Sequence, residues 1–208
     1  TATLIDAGKY PGGSTDSQNR INEVLADCAQ RADVVVRLKG GDPYVFGRGG
    51  EEAHALASVG VKVEIVPGVT SAIAGPSAAG IPVTMRGISS GFTVVTGHQD
   101  PESIDTLDWQ ALARLNTTLI VLMAASRAGI IAERLLSGGM PSTTAVAAVE
   151  SATNSNQRVL RTRLGEVADL DVRAPAVLIF GRVAELDVSN ANFTSLIEKM
   201  TAGVGATT

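Results

Sequence analysis

The densest set of groups suited to binding lies in one stretch, Arg37-Leu38-Lys39-Gly40-Gly41-Asp42-Pro43-Tyr44-Val45-Phe46-Gly47-Arg48-Gly49-Gly50-Glu51-Glu52. Gly40 and Gly41 let the backbone approach a ligand with no Cβ in the way. Asp42 can accept hydrogen bonds from hydroxyls or an ammonium group, and Pro43 stiffens the turn after it. By local chemistry this is either a ligand loop or a structural turn between a strand and a helix. It is not the GxGxxG fingerprint of a dinucleotide site.

Other chemistries lack their residues. His54, His98 and Cys28 are the chain's only histidines and cysteine, and they give neither CxxC nor HExxH spacing for a metal. There is no GxSxG elbow and no GxxxxGK[ST] loop. Cys28 falls on an apolar helical face and reads as core. His54, beside Glu51 and Glu52, reads as solvated.

The elements that would position the glycine loop alternate along the chain. Short β-branched runs at 4–7, 34–38 and 61–66 read as strands. Helices are expected where Ile21, Val24, Leu25, Cys28 and Ala32 share a face, over 51–59 with Gly60 as stop, and over 71–79 despite Gly75-Pro76. Thr15 and Gln18 have capping-box spacing. The glycine loop follows the carboxyl end of the 34–38 strand, where open α/β sheets bind ligands. Residues 80–91 are poor in helix formers and suggest a linker. Beyond it, strands are expected at 92–96, 117–123, 144–149, 158–164 and 176–180, with helices over 108–115 and near 127–136. The spacing predicts an α/β protein of two small lobes, 1–88 and 89–187, with a tail over 188–208. The first sheet should be mainly parallel, the second mixed.

Composition sets the outer limits. The 208 residues are 45% apolar and 18% charged, which suits a globular protein with a real core. A net charge of −4 offers no basic field for nucleic acid, and 3% aromatics offers no stacking platform. No apolar run approaches a membrane span. Thr1 to Leu4 lack the start of a signal peptide, and one cysteine fits a reducing compartment, so a cytoplasmic protein is expected.

The glycine loop resembles the GGDP loop of the tetrapyrrole methylases. The resemblance continues through Val66-Pro67-Gly68-Val69-Thr70-Ser71-Ala72, Gly80-Ile81-Pro82-Val83-Thr84-Met85-Arg86, Val95-Thr96-Gly97-His98, Leu107-Asp108-Trp109, Val121-Leu122-Met123 and Pro175 to Val183. It covers nearly the whole chain up to about Leu186. It implies S-adenosylmethionine bound in a cleft between two α/β lobes, no metal, and a homodimer. The extended RLKGGDPxxFGRGGEE form resembles the members that methylate uroporphyrinogen III at C2 and C7, giving precorrin-2 for siroheme and cobalamin and leaving S-adenosylhomocysteine.

Carried over by motif position, the donor would be lined by Gly40, Gly41, Asp42, Val45, Thr70, Ser71, Met123, Ala152 and Ala176. Lys9 matches a lysine described in the family as a proton donor and is the expected catalytic residue. Arg86 is the expected substrate contact, since guanidinium matches carboxylate geometry, with His98 a further partner for the acetate and propionate arms. Lys9, Lys39, Arg48 and Arg86 would form a local basic rim. Local readings remain beside these: Thr70 and Ser71 suit a helix cap, and Met123 suits a strand core. Phe193, Leu196, Ile197 and Met200 share one helical face of the tail, either as a dimer contact or as cover for their own lobe.

Two family segments, a GxGPGDP loop and a Tyr-Asp-x-Leu stretch, have no counterpart upstream of Leu4, and a start inside the N-terminal lobe is expected. The alternatives to uroporphyrinogen methylation are another methylase of the same fold and a noncatalytic S-adenosylmethionine-binding module.

Overall fold

The computed structural model describes residues 2–8, 16–98 and 107–202. Packing divides the chain into two compact units, 1–70 and 71–208. The change of sequence character lies later, near residue 88. The difference is the segment 71–91, whose Ala72, Ile81 and Ile88 are buried in the second unit's core.

The first unit pairs α1 (Asp16–Arg31) with α2 (Gly49–Ser58). Ile21 and Leu25 of α1 are buried, as the helical spacing predicts, while Cys28 is half-buried. Glu51 and Glu52 occupy the first turn of α2, where carboxylates suit the helix dipole. Thr15, one half of the predicted capping box, lies outside the described residues, and Gln18, the other half, is buried against α2 instead. The runs 34–38 and 61–66 carry no assigned element, though Val61, Val63 and Ile65 alternate in burial with Lys62, Glu64 and Val66. Neither run, nor 4–7, joins a ladder among the described residues, so the predicted parallel strands are not formed there. A ladder requires a neighbour that exchanges backbone hydrogen bonds with it. With none, Val34, Val36 and Leu38 stay exposed.

The second unit is built on a mixed sheet. Its strands are β1 (Phe92–Thr96), β2 (Thr118–Leu122), β3 (Ala145–Glu150), β4 (Arg158–Arg163) and β5 (Ala176–Phe180), in the order β1-β2-β5-β3-β4. The β1–β2 pair is parallel and the other three are antiparallel. Each central strand alternates between two cores. Leu119, Val121, Val146, Ala148, Leu178 and Phe180 face one side, with Trp109 of α4 (Trp109–Arg114) and Ile131 and Leu135 of α5 (Ala128–Ser137). Ile120, Leu122, Ala147, Val149, Val177 and Ile179 face the other, with Ala72 of α3 (Ser71–Ala78). Both faces are covered, so Leu119 to Leu122 of β2 and Ala145 to Val149 of β3 form unbroken apolar runs, as a sheet with helices on both sides requires.

The tail folds into α6 (Phe193–Thr201). Phe193, Leu196, Ile197 and Met200 are packed against the second core cluster. The stripe therefore covers its own lobe in part, the second of the two roles its spacing suggests.

Candidate functional site

In the first unit, the glycine loop turns on an internal network. Gly41 has φ +70°, a left-handed conformation that a Cβ would strain. Asp42 bridges two turns: Oδ1 accepts the Tyr44 N–H at 2.8 Å and Oδ2 accepts the Gly68 N–H at 3.1 Å. A Cβ on Gly68 would overlap the Gly41 carbonyl oxygen, so this approach needs glycine. Val45, half-buried, donates its N–H to the Asp42 carbonyl at 3.3 Å. The Pro43 carbonyl then accepts the Gly49 N–H at 3.0 Å and starts α2. Gly40 differs from these: a Cβ there would meet nothing within 4 Å. Its backbone faces open space, the condition for close approach of a ligand.

The side of the loop facing α2 is charged and buried. Glu52 is 5% exposed. Its Oε2 accepts a 2.7 Å hydrogen bond from Lys39 Nζ, and its Oε1 faces Arg37 Nε and Nη2, each at 3.4 Å. Gln18 Nε2 donates to the same Oε1 at 3.4 Å. Burial pushes the Glu52 carboxyl up, but the Lys39 hydrogen bond and the charges of Arg37 and Lys39 outweigh it and hold it below its ordinary value. Lys39, 12% exposed at its side chain, is thus committed to Glu52 and withdrawn from the predicted basic rim. Arg48 pairs with Glu51 at 3.1 Å. Lys9 lies outside the described residues.

Glu52 was not foreseen as a buried group, because an acidic residue in a first helical turn ordinarily reads as solvated. Arg37 and Lys39, two residues apart and so on one face of extended backbone, were the available signal.

In the second unit, strand polarity gathers several predicted residues at one edge. Leu122 pairs with Val177 and Glu150 with Ala176. The residues after β2 and β3 therefore stand beside the start of β5. Met123 follows β2 with φ +55° and is 52% exposed, which places it at the rim of the core rather than in it. Ala152 follows β3 between Ser151 (φ +45°) and Thr153 (φ +69°). Three non-glycine residues held in left-handed backbone at adjoining strand ends mark a place where shape is maintained against local preference. The Ser151 N–H donates to the Pro175 carbonyl at 2.9 Å, and Thr153 N–H to Gln157 Oε1 at 2.8 Å.

Ser71 opens α3, with Thr70 just before it. Gly75 brings α3 onto this edge: a Cβ there would lie 3.0 Å from Val177 Cγ2 and 3.9 Å from the Ala152 Cβ. His98 is exposed just past β1, where Gly97 N–H donates to the Leu122 carbonyl at 2.7 Å.

Arg86 is not gathered with these residues. It is exposed on the turn bridged by Met85 and Ser89, and Ser89 Oγ accepts the N–H of Thr118 at the amino end of β2. Met123 follows the opposite end. His54 is exposed, as expected. Among the described residues no group of three or more His, Cys, Asp or Glu stands together to hold a metal, and no helix is long and apolar enough to cross a membrane.

Comparison with known proteins places this geometry among relatives. Residues 3–168 match the family model described as Tetrapyrrole (Corrin/Porphyrin) Methylases. An S-adenosyl-L-methionine-dependent uroporphyrinogen III methyltransferase of Methanosarcina barkeri is 47% identical over 191 residues, 89% of this chain and 75% of that protein. A uroporphyrinogen-III C-methyltransferase of Pseudomonas aeruginosa is 45% identical over 193 residues, 91% of this chain and 78% of that protein. Among solved structures, the uroporphyrin-III C-methyltransferase of Thermus thermophilus, complexed with S-adenosylhomocysteine, matches with a TM-score of 0.72 at 43% identity. It covers 80% of this chain and 74% of its own.

Proposed function

Because this chain belongs to the tetrapyrrole methylase family, we propose that it transfers methyl groups from S-adenosylmethionine to C2 and C7 of uroporphyrinogen III, giving precorrin-2. The observation that carries this reading is the 47% identity, over 89% of the chain, to a relative named for that activity.

The residues present fit the donor. Gly40 offers backbone beside open space, and Met123 offers an exposed, polarizable thioether that packs well on an aromatic face. We assign donor contacts to Gly40, Gly41, Asp42, Val45, Thr70, Ser71, Met123, Ala152 and Ala176. When bound, the donor supplies a methyl group on a positively charged sulfur, so transfer to an electron-rich pyrrole carbon calls on no metal and no covalent enzyme intermediate. The protein's task is alignment and exclusion of water. Asp42 also fixes the loop's shape, since each of its carboxylate oxygens accepts one backbone N–H, from Tyr44 and Gly68, and keeps a lone pair for the donor. Lys9 is the proposed proton donor. Arg86 is the proposed partner of substrate carboxylates, and among the described residues it has no ion pair.

A homodimer in the cytoplasm, bound to neither nucleic acid nor membrane, completes the proposal. Its support is the family resemblance, the net charge of −4 and the lone thiol of Cys28.

The test is incubation with S-adenosylmethionine and uroporphyrinogen III, followed by product analysis. Two added methyl groups per macrocycle are expected. Methylation of a different tetrapyrrole only, or donor binding without transfer, would overturn the assignment.

A further inference from the structure

Gly40 and Gly41 have no side chains with which to hold themselves, so their course is imposed by the residues on either side. Downstream the anchor is Asp42, through the Tyr44 and Gly68 N–H groups. Upstream, the residue next to Gly40 is Lys39, whose ammonium is buried against Glu52 Oε2 at 2.7 Å. Arg37, two residues earlier on the same side, meets Oε1 of the same carboxylate. One buried acid on α2 therefore fastens the last turn of backbone before the glycine pair. Gln18 of α1 closes the arrangement: its Nε2 reaches Glu52 Oε1 and Asn22 Oδ1, and its own buried Oε1 has no partner among the described residues.

We propose that Glu52 is a positioning residue for the methyl donor: through Lys39 and Arg37 it sets the path of the Gly40–Gly41 backbone. This rests on reading residues 40–42 as part of the donor site. Ordinary burial does not account for the arrangement, since apolar residues would fill the same space without taking charges out of water. What the ion cluster supplies is direction. A carboxylate that meets both Arg37 and Lys39 fixes both the height and the rotation of the backbone that delivers the glycines.

The experiment measures S-adenosylhomocysteine affinity by calorimetry on the full chain, with thermal unfolding followed on the same preparations. The variants are Glu52→Gln, Lys39→Met, Lys39→Arg and the double variant Glu52→Gln with Lys39→Met. Unmodified protein binds. Glu52→Gln and Lys39→Met each weaken binding by about tenfold or more, the size of effect outer partners have on metal sites. Lys39→Arg, which keeps the ion pair, recovers most of the affinity. The double variant is no weaker than the poorer single one, because both remove the same link. In turnover, KM for the methyl donor rises while KM for the tetrapyrrole stays.

A purely structural Glu52 predicts lowered unfolding temperature with unchanged affinity of the folded protein, and that result overturns the proposal. So does Lys39→Arg binding as weakly as Lys39→Met. If Glu52→Gln does not fold, the two Lys39 variants decide. Failure of the unmodified chain to bind overturns the donor-site reading itself, and this proposal with it.

Discussion

Asp42 Oδ2 and the backbone N–H of Gly68 meet at 3.1 Å, across 26 residues of sequence. The bond holds the Pro67-Gly68 turn against the glycine loop so closely that a Cβ on Gly68 would overlap the carbonyl oxygen of Gly41. Both turns follow segments, 34–38 and 61–66, that join no ladder among the described residues. The bond ties the two turns together directly.

Two glycine substitutions should separate shape from binding. Gly68→Ala forces the two turns apart and should cost ~1–3 kcal/mol, in the range of overpacking. Gly40→Ala meets no neighbour, and its φ is not positive, so unfolding should be nearly unchanged while donor affinity falls. Urea unfolding and calorimetry on both variants check this. Gly40→Ala with intact fold and intact affinity would remove the loop from the donor site.

Met123 permits a similar separation. It is half exposed at the end of a buried strand, so Met123→Ala should cost about 1 kcal/mol or less. A packed methionine would cost ~2–5 kcal/mol. KM for the methyl donor should rise more than stability falls. Because φ is +55°, Met123→Gly should be more stable than Met123→Ala by ~1 kcal/mol, the reverse of the usual order. Thermal unfolding of the pair, with donor saturation kinetics, tests both statements.

What the sequence disclosed follows the range of the interactions involved. β2 and β3 were legible because Leu119 to Leu122 and Ala145 to Val149 are apolar throughout, a pattern that a sheet covered on both faces produces. The mixed sheet was expected, but its antiparallel pairs are β2–β5, β3–β5 and β3–β4, and the last two strands do not pair with each other. Met123 by itself suited a strand core, and it was the family resemblance that set it at the ligand end of its strand, where the structure leaves it half exposed. The contacts of Asp42 with Gly68, and of Glu52 with Lys39 and Gln18, join residues 13 to 34 apart and leave no local signature. The first unit departed furthest: Val34, Val36 and Leu38 have strand chemistry, yet pairing depends on a neighbour that no single segment specifies.

The tail offers a prediction about assembly. Phe193, Leu196, Ile197 and Met200 pack on the second core, so Leu196→Ala should lower stability by roughly 1–2 kcal/mol, less than full burial would give. The mass measured by light scattering should not change. A dissociated dimer in the variant, with unfolding unaffected, would return the stripe to an intersubunit role.

Acid should act on the first unit through Glu52. Its carboxyl is held below the ordinary value of 4.5 by Lys39 and Arg37 despite its burial. A group whose native pKa is depressed stabilises the fold fully above its unfolded pKa, and that contribution fades as pH falls through the native value. The folded state binds fewer protons than the unfolded state in that window, so stability must drop with falling pH below about 4.5. Glu52→Gln removes the titrating group and its share of the slope. Urea midpoints measured from pH 7 to pH 3 should therefore show the parent protein losing more stability over the acid range than Glu52→Gln loses. At pH 7 the order is set by the ion pairs, and the parent should be the more stable, because the variant leaves Lys39 charged and buried without its partner. Parallel curves for the two proteins below pH 4.5 would mean that the carboxylate is not held by its cations in solution.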